Sequence, residues 1–312
     1  MVHKTIFHPS ARIPILRAVQ FQKITLIGVG LLGGSLGLAV KRRRLARRVE
    51  GYVRRAASVI ECRKAGAVDR ATQDLHSAVV DADLVVLCTP LAQMRALVKE
   101  MLPSLKRGAL VTDVGSVKGS VVKELESLVA KAGAHFVGSH PMAGAEKTGV
   151  SAARADLFNN AVCVVTPTRK SPVAAVSKVE EFWEAVGARL LRLSPEQHDA
   201  LVARSSHLPH AIAATLAAGV LDPKHPFPQS KLCATGFRDT TRIASGSPEM
   251  WRDIAMANRR HLSRALSGFA ADLGKFQAAL RRGDAIAIEN FFATAKLRRD
   301  QWCACGASPS PE

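Results

Sequence analysis

A chain of 312 residues, 47% hydrophobic and 22% charged, has the composition of a folded globular protein and is long enough for two cores. No apolar run reaches the roughly 18 residues of a membrane-spanning helix. The six cysteines, most of them single within apolar or helical stretches, exclude a disulfide framework and read as thiols of a reducing, cytoplasmic compartment. The net charge of +18 sets 44 Lys and Arg against 26 Asp and Glu, but the basic residues are scattered and aromatics are only 5%. A nucleic-acid groove needs a basic stripe with stacking platforms, so neither nucleic acid nor membrane is expected as a partner.

Residues 1–22 contain no acid, and Pro9 and Pro14 interrupt any helix. They are short and lack an amphipathic stripe, which favours an irregular extension over a transit peptide. Residues 24–28 form a short apolar run with the character of a buried parallel strand. Gly28, Gly30 and Gly33 follow with the spacing G-x-G-x-x-G, Leu31 and Leu32 lie within the turn, and a helical run continues from there. The first glycine permits a tight turn, the second lets the backbone approach a pyrophosphate, and the third lets helix and strand pack closely. The phosphates then sit on the free N–H groups of the helix N-terminus. This predicts a dinucleotide site. The basic run 41–48, KRRRLARR, falls at the end of the first helix, where it complements the dipole and faces solvent.

Residues 49–53 read as the second strand. The position that in such units carries an acid for the adenine ribose here offers Arg54 and Arg55, and no carboxylate follows before Glu61. Two guanidiniums suit a 2′-phosphate, which leans the expectation to NADP. NAD stays open, with the arginines stacked on adenine or solvated. A helix over 57–66 leads to a short third strand. Residues 83–89, DLVVLCT, are a strongly apolar strand whose end, Thr89 and Pro90, borders the nicotinamide side. A helix over 91–102 and a strand over 110–114 come next.

Two loops then carry polar groups that packing does not require: residues 113–118, DVGSVK, and residues 138–144, GSHPMAG, after a strand at 135–137. Both lie at the carboxyl ends of predicted parallel strands, the ligand edge of an open α/β sheet. His140, in a glycine-rich loop locked by Pro141, is therefore a candidate catalytic residue. Strands at 161–166 and 188–193, joined by a helix over 176–186, are expected to extend the sheet. From Ser194 the period becomes helical, over 195–219, 250–280 and 284–302, and Ser194-Pro195-Glu196-Gln197 is a helix start. The expected class is α/β: a Rossmann-type doubly wound, mostly parallel sheet over 23–193, then an all-helical domain over 194–302, with an extension at 1–22 and a tail at 303–312. So many apolar helix faces in about a hundred residues imply a homodimer. Cys303 and Cys305 lack partners for a zinc site, and no metal is expected.

GVGLLGGSLG, DVGSVK, GSHPMAG, EQHD, SSHLPH and GFRDTTRIASGSPEMWRDI occur in the same order as in the prephenate dehydrogenase and arogenate dehydrogenase family, and the chain resembles it over residues 23–300. The resemblance implies a nucleotide-binding domain, a helical dimerisation domain and oxidative decarboxylation of prephenate or arogenate, in the monofunctional form. It implies that His140 accepts the proton of the substrate hydroxyl, that Ser116 orients it, and that Arg242 grips the ring carboxylate, a task suited to a bidentate fork. His207 and His210 would line the substrate pocket. Lys118 would hold an anionic group or lie at the surface, and Arg238 would support Arg242 or be solvated. His198 reads as structural, placing a helix start. The chain departs from the family at Cys233-Ala234-Thr235-Gly236, where glycines are frequent, at Ser247 in place of an acid, and in lacking an acid after Tyr52. Two other readings remain: a related two-domain dehydrogenase for hydroxy or imino acids, which would use a helical-domain lysine, and a non-catalytic nucleotide- or nucleic-acid-binding protein.

Overall fold

The computed structural model describes residues 20–144 and 148–305. Most of the N-terminal extension and the segment 306–312 lie outside the described residues. The nucleotide-binding half alternates strand and helix: β1 (Phe21–Ile27), α1 (Leu31–Arg42), β2 (Ala46–Tyr52), α2 (Ala56–Lys64), β3 (Arg70–Thr72), α3 (Leu75–Val79), β4 (Leu84–Leu87), α4 (Leu91–Met101), β5 (Leu110–Asp113), α5 (Gly119–Ala130) and β6 (His135–Phe136). The six strands are parallel and ordered β3-β2-β1-β4-β5-β6. Strands covered on both faces by crossover helices read as unbroken apolar runs, which is what β4, LVVL, shows. Its residues still alternate: Leu84 and Val86 join the core under α1 and α6 (Val173–Val186), while Val85 and Leu87 join the core under α4 and α5.

Three expectations are corrected here. Residues 138–144 do not form a loop throughout, because β7 (Gly138–Pro141) is a fully buried strand. It pairs antiparallel with β8 (Val162–Thr166), which runs parallel to β9 (Arg189–Arg192), in a separate three-stranded sheet. The later strands therefore do not extend the first sheet. The parallel ladder stops because the Asp113 side chain, not a backbone carbonyl, takes the Ser139 N–H at 3.1 Å. Pro141 is tolerated because β7 is an edge. The basic run 41–48 is not one solvated helix end either. α1 stops at Arg42, Arg44 turns the chain with φ of 54°, and Ala46 to Arg48 belong to β2. Arg43 donates to Asn159 Oδ1 at 2.6 Å.

The helical half holds α7 (Pro195–Val202), α8 (Leu208–Val220), α9 (Pro228–Lys231), α10 (Thr235–Thr241), α11 (Pro248–Ala257), α12 (Arg259–Arg282) and α13 (Ala285–Ala304). α7 opens on a reciprocal cap: Ser194 Oγ accepts the Gln197 N–H, and Gln197 Oε1 accepts the Ser194 N–H. The expected helix over 195–219 is interrupted by a π-helical turn, Ala203–His207. Pro209 supplies no N–H to the turn before it, which loosens that turn. The expected helix over 250–280 breaks at Asn258, which is 2% exposed. α13 runs through Cys303 to Ala304, so the expected tail begins inside a helix.

Candidate active site

Strand order reverses between β1 and β4, and an open α/β sheet takes its ligand in the crevice at the carboxyl ends of such strands. Gly28 turns the chain there with φ of 94°. A Cβ on Gly33 would stand 2.0 Å from the Gly28 carbonyl oxygen, so only glycine lets α1 close on the strand. A Cβ on Gly30 would meet nothing within 4 Å, which leaves backbone facing open space. α1 begins without a side-chain cap and with no acid in its first turn, so its first N–H groups are available to an anion. Leu31 and Leu32 are half-buried against the core. Thr89 lies beside Gly28, and its buried Oγ1 has no hydrogen-bond partner among the described residues. Pro90 caps α4. Arg54 and Arg55 are exposed just past β2, and the Arg55 guanidinium is 4.0 Å from Glu61. Free backbone donors, an unpartnered hydroxyl and two exposed guanidiniums together fit a dinucleotide with its phosphates.

Beside this crevice β5, β7 and α7 meet in a buried polar network. Asp113 ends β5 and accepts from Gly115 N at 2.9 Å and from Lys118 Nζ, which also donates to the Ser139 carbonyl at 2.8 Å. The Lys118 side chain is fully buried. It is thus neither a surface group nor an open anion-binding arm, and both expectations for it are corrected: the ammonium ties β5 to β7. Burial pulls its pKa down, opposed by the Asp113 carboxylate. Trp183 Nε1 donates to Ser139 Oγ at 2.9 Å and seats α6 on the same strand.

His140 lies on β7, 7% exposed, and its Nδ1 is 2.8 Å from His198 Nε2. His198 Nδ1 is 2.8 Å from Asp199 Oδ1. The Asp199 carboxylate accepts the N–H groups of Lys118 at 2.7 Å and Gly119 at 2.8 Å, capping the start of α5. His198 therefore does not serve to place a helix start, since the Ser194–Gln197 cap does that; it bridges His140 and an acid. Asn258 Nδ2 donates to the Asp199 carbonyl at 2.9 Å and to His207 Nδ1 at 3.2 Å. Burial lowers the pKa of His140 well below the usual histidine value, because a second charge beside His198 and Lys118 would be disfavoured as well. Burial also lowers His198, against the pull of Asp199. It lowers His207 to about 4, although the Ser116 backbone beside that ring favours the cation. At neutral pH all three imidazoles are neutral.

Ser116 is half-buried in the loop between β5 and α5, next to His207. His207 Nε2 is buried and unpartnered among the described residues. His210 stacks on Trp251 with centroids 3.8 Å apart, and its Nδ1 is 2.9 Å from the Ser206 carbonyl. Arg242 starts a turn, Arg242–Ser245, that packs on α8, the helix carrying His210. Arg238 and Arg242 line one cavity of about 490 Å³. The structure thus joins His140, His207, Ser116 and Lys118 in one network, with His210 at its helical margin, and sets the two arginines together on the adjoining elements. Sequence reasoning missed Asp199, Asn258, Trp251 and the tie through Asp113. The one available signal was a lone asparagine within an amphipathic run. Among the described residues no group of three His, Cys, Asp or Glu could hold a metal ion.

A doubly wound sheet with a glycine-rich turn, joined to a helical half at a buried histidine, defines a two-domain nicotinamide-dependent oxidoreductase. The model of the prephenate dehydrogenase nucleotide-binding domain matches residues 36–192, and that of the prephenate dehydrogenase dimerization domain matches residues 194–296. The chain belongs to the prephenate dehydrogenase family of tyrosine biosynthesis. It is 36% identical to the cyclohexadienyl dehydrogenase of Zymomonas mobilis over 282 residues, 89% of this chain and 95% of that one. It is likewise 36% identical to the prephenate dehydrogenase of Bacillus subtilis over 279 residues, 89% of this chain and 75% of that one. The crystal structure of prephenate dehydrogenase from A. aeolicus in complex with hydroxyphenyl propionate and NAD+ superposes with a TM-score of 0.86 at 31% identity, covering 91% of this chain and 99% of that chain.

Proposed function

We propose that the protein oxidises prephenate or arogenate with loss of carbon dioxide, using NADP in preference to NAD, as a homodimer joined through residues 194–302. The observation that carries the reading is His140: a buried, neutral imidazole on β7, in the chain just past the carboxyl end of β6, the last strand of the parallel sheet. The bound nicotinamide supplies the hydride acceptor. His140 takes the proton of the ring hydroxyl as its carbon gives up hydride, so the oxygen becomes a carbonyl without building up positive charge. The electrons of the breaking carboxylate bond then run through the ring to the carbonyl oxygen, the ring becomes aromatic as carbon dioxide leaves, and His140 returns its proton to the resulting phenolate. Ser116 orients the hydroxyl. Arg242 holds the ring carboxylate, with Arg238 adding charge to the same cavity. His207 and His210 line the pocket for the rest of the substrate, and His207 Nε2 has no hydrogen-bond partner among the described residues. Lys118 acts from behind by fixing β7. Gly28, Gly30, Leu31, Leu32, Gly33, Thr89 and Pro90 shape the cofactor cradle.

NADP is favoured because Arg54 and Arg55 stand exposed where an NAD enzyme of this plan places an acid. The test is one paired assay of prephenate and arogenate, each with NADP+ and NAD+. Reduced cofactor and carbon dioxide should form with at least one substrate, faster with NADP+. His140→Asn should lower kcat by about 10²- to 10⁴-fold. Full turnover in that variant would overturn the role given to His140.

A further inference from the structure

We propose that Asp199 and His198 form a positioning pair that fixes His140 in its Nδ1–H form and so leaves Nε2 as the base. The proposal rests on the reading of His140 as proton acceptor, and its argument is donor bookkeeping along one chain of contacts. An ionised carboxylate only accepts. Asp199 is ionised, its carboxyl held below the usual range: burial alone would raise it, but His198 and the Lys118 and Gly119 N–H groups outweigh that. His198 Nδ1, 2.8 Å from Asp199 Oδ1, must therefore carry a hydrogen. A neutral imidazole has one N–H, so His198 Nε2 is a lone pair. His140 Nδ1, 2.8 Å away, must then donate to it. The hydrogen of the neutral His140 ring is thereby committed, and Nε2 is left with its lone pair to take the substrate's proton. The opposite tautomer would set two lone pairs against each other at hydrogen-bond distance.

The same chain acts during turnover. When His140 Nε2 takes the hydroxyl proton, the ring becomes a cation whose Nδ1–H bond to His198 is charge-assisted and backed by the Asp199 carboxylate. No second proton has to move. The other titratable groups acting on the ring are Lys118 before α5 and His207 in the π-turn; Cys163 on β8 meets the His140 backbone instead, and its buried thiol stays protonated. None of them contacts His140 Nδ1.

The test compares the wild type with His198→Phe, His198→Gln and Asp199→Asn. Ring nitrogens of His140 are read by 15N NMR on the cofactor-free chain, and kcat and KM are followed from about pH 5.5 to 9. In the wild type, His140 Nδ1 should show the protonated shift and Nε2 the bare one. His198→Phe removes the acceptor, so the tautomers should mix and kcat should fall about 10²-fold or more while substrate KM changes less than about threefold. His198→Gln restores an acceptor oxygen near the lost Nε2 and should recover the tautomer and much of kcat. Asp199→Asn removes the negative charge and should move the acid limb of kcat to lower pH. Asp199 also caps α5; if that variant does not fold, the His198 pair decides the matter. An Nε2–H tautomer in the wild type would refute the proposal, as would unchanged kcat in His198→Phe beside a dead His140→Asn. A wild type inactive on both substrates would instead refute the functional reading, and the NMR result would stand on its own.

Discussion

His207 is held in a state that acid attacks. Its folded pKa is about 4 against an ordinary 6.5, because burial disfavours the cation. His140, His198 and His210 are shifted down with the same leading cause. The unfolded chain binds these protons near pH 6.5 and the folded chain does not. Stability from this source is therefore complete above pH 6.5 and is lost as pH falls toward 4, by about 3 kcal/mol for His207 alone. Urea midpoints at about pH 7.5, 6 and 5 should fall in that order, and His207→Gln should flatten the trend. A midpoint that held to pH 5 would contradict the burial of neutral imidazoles. At this scale the burial of His140 within a polar network had a visible signal, since a histidine in the run Gly138-Ser139-His140-Pro141 has few packing reasons to be there. The burial of Lys118 had none. Lysine reads as solvated unless its partners are known, and they are Asp113 and a carbonyl of β7. The Asp199 contact with the Lys118 backbone spans 81 residues, beyond any local pattern.

Elements whose period reports burial on both faces were the legible ones: β1, β4 and β5, the glycine turn into α1, and the onset of α7. Breaks inside helical runs were not, because periodicity measures faces and passes over single polar residues. Asn258 separates α11 from α12 and sends Nδ2 to both the Asp199 carbonyl and His207. Its exchange for alanine raises local helix propensity yet leaves a buried carbonyl and an imidazole nitrogen unpaired. The second effect is larger, about 1–3 kcal/mol against about 0.5. Asn258→Ala should therefore lower the urea midpoint and raise substrate KM. A more stable variant would mean that the break is merely tolerated and that Asn258 does not support His207. The antiparallel turn of β7 was hidden for a related reason: the side chain that ends the ladder, Asp113, belongs to a different strand.

The two halves of the molecule bury their apolar residues very differently. The sheet encloses two cores, with residues such as Trp183, Ile24 and Met94 fully inside. In the helical half, α8 is apolar around most of its circumference, yet only Ala213 is buried, and a helix of that kind is an interior helix. On α12, Leu266, Leu273 and Leu280 repeat every seven residues along one exposed face. The α12–α13 hairpin is closed by Phe276 against Phe291 and Phe292, but both of the latter keep exposed area, at 42% and 59%. A soluble monomer does not leave so continuous an apolar surface in water, and the excess positive charge resists nonspecific collapse without covering it. A second copy would cover it with like surface, since a two-fold axis pairs each patch with itself. Sedimentation equilibrium at micromolar concentration should return twice the chain mass. Leu273→Glu, a charge at the centre of the α12 stripe, should shift the protein toward single chains and lower activity. Ile60→Glu, at an equally exposed apolar position on α2, should change neither. A wild type that sediments as one chain would remove the second copy from the account and leave the exposed faces of α8 and α12 without a cause.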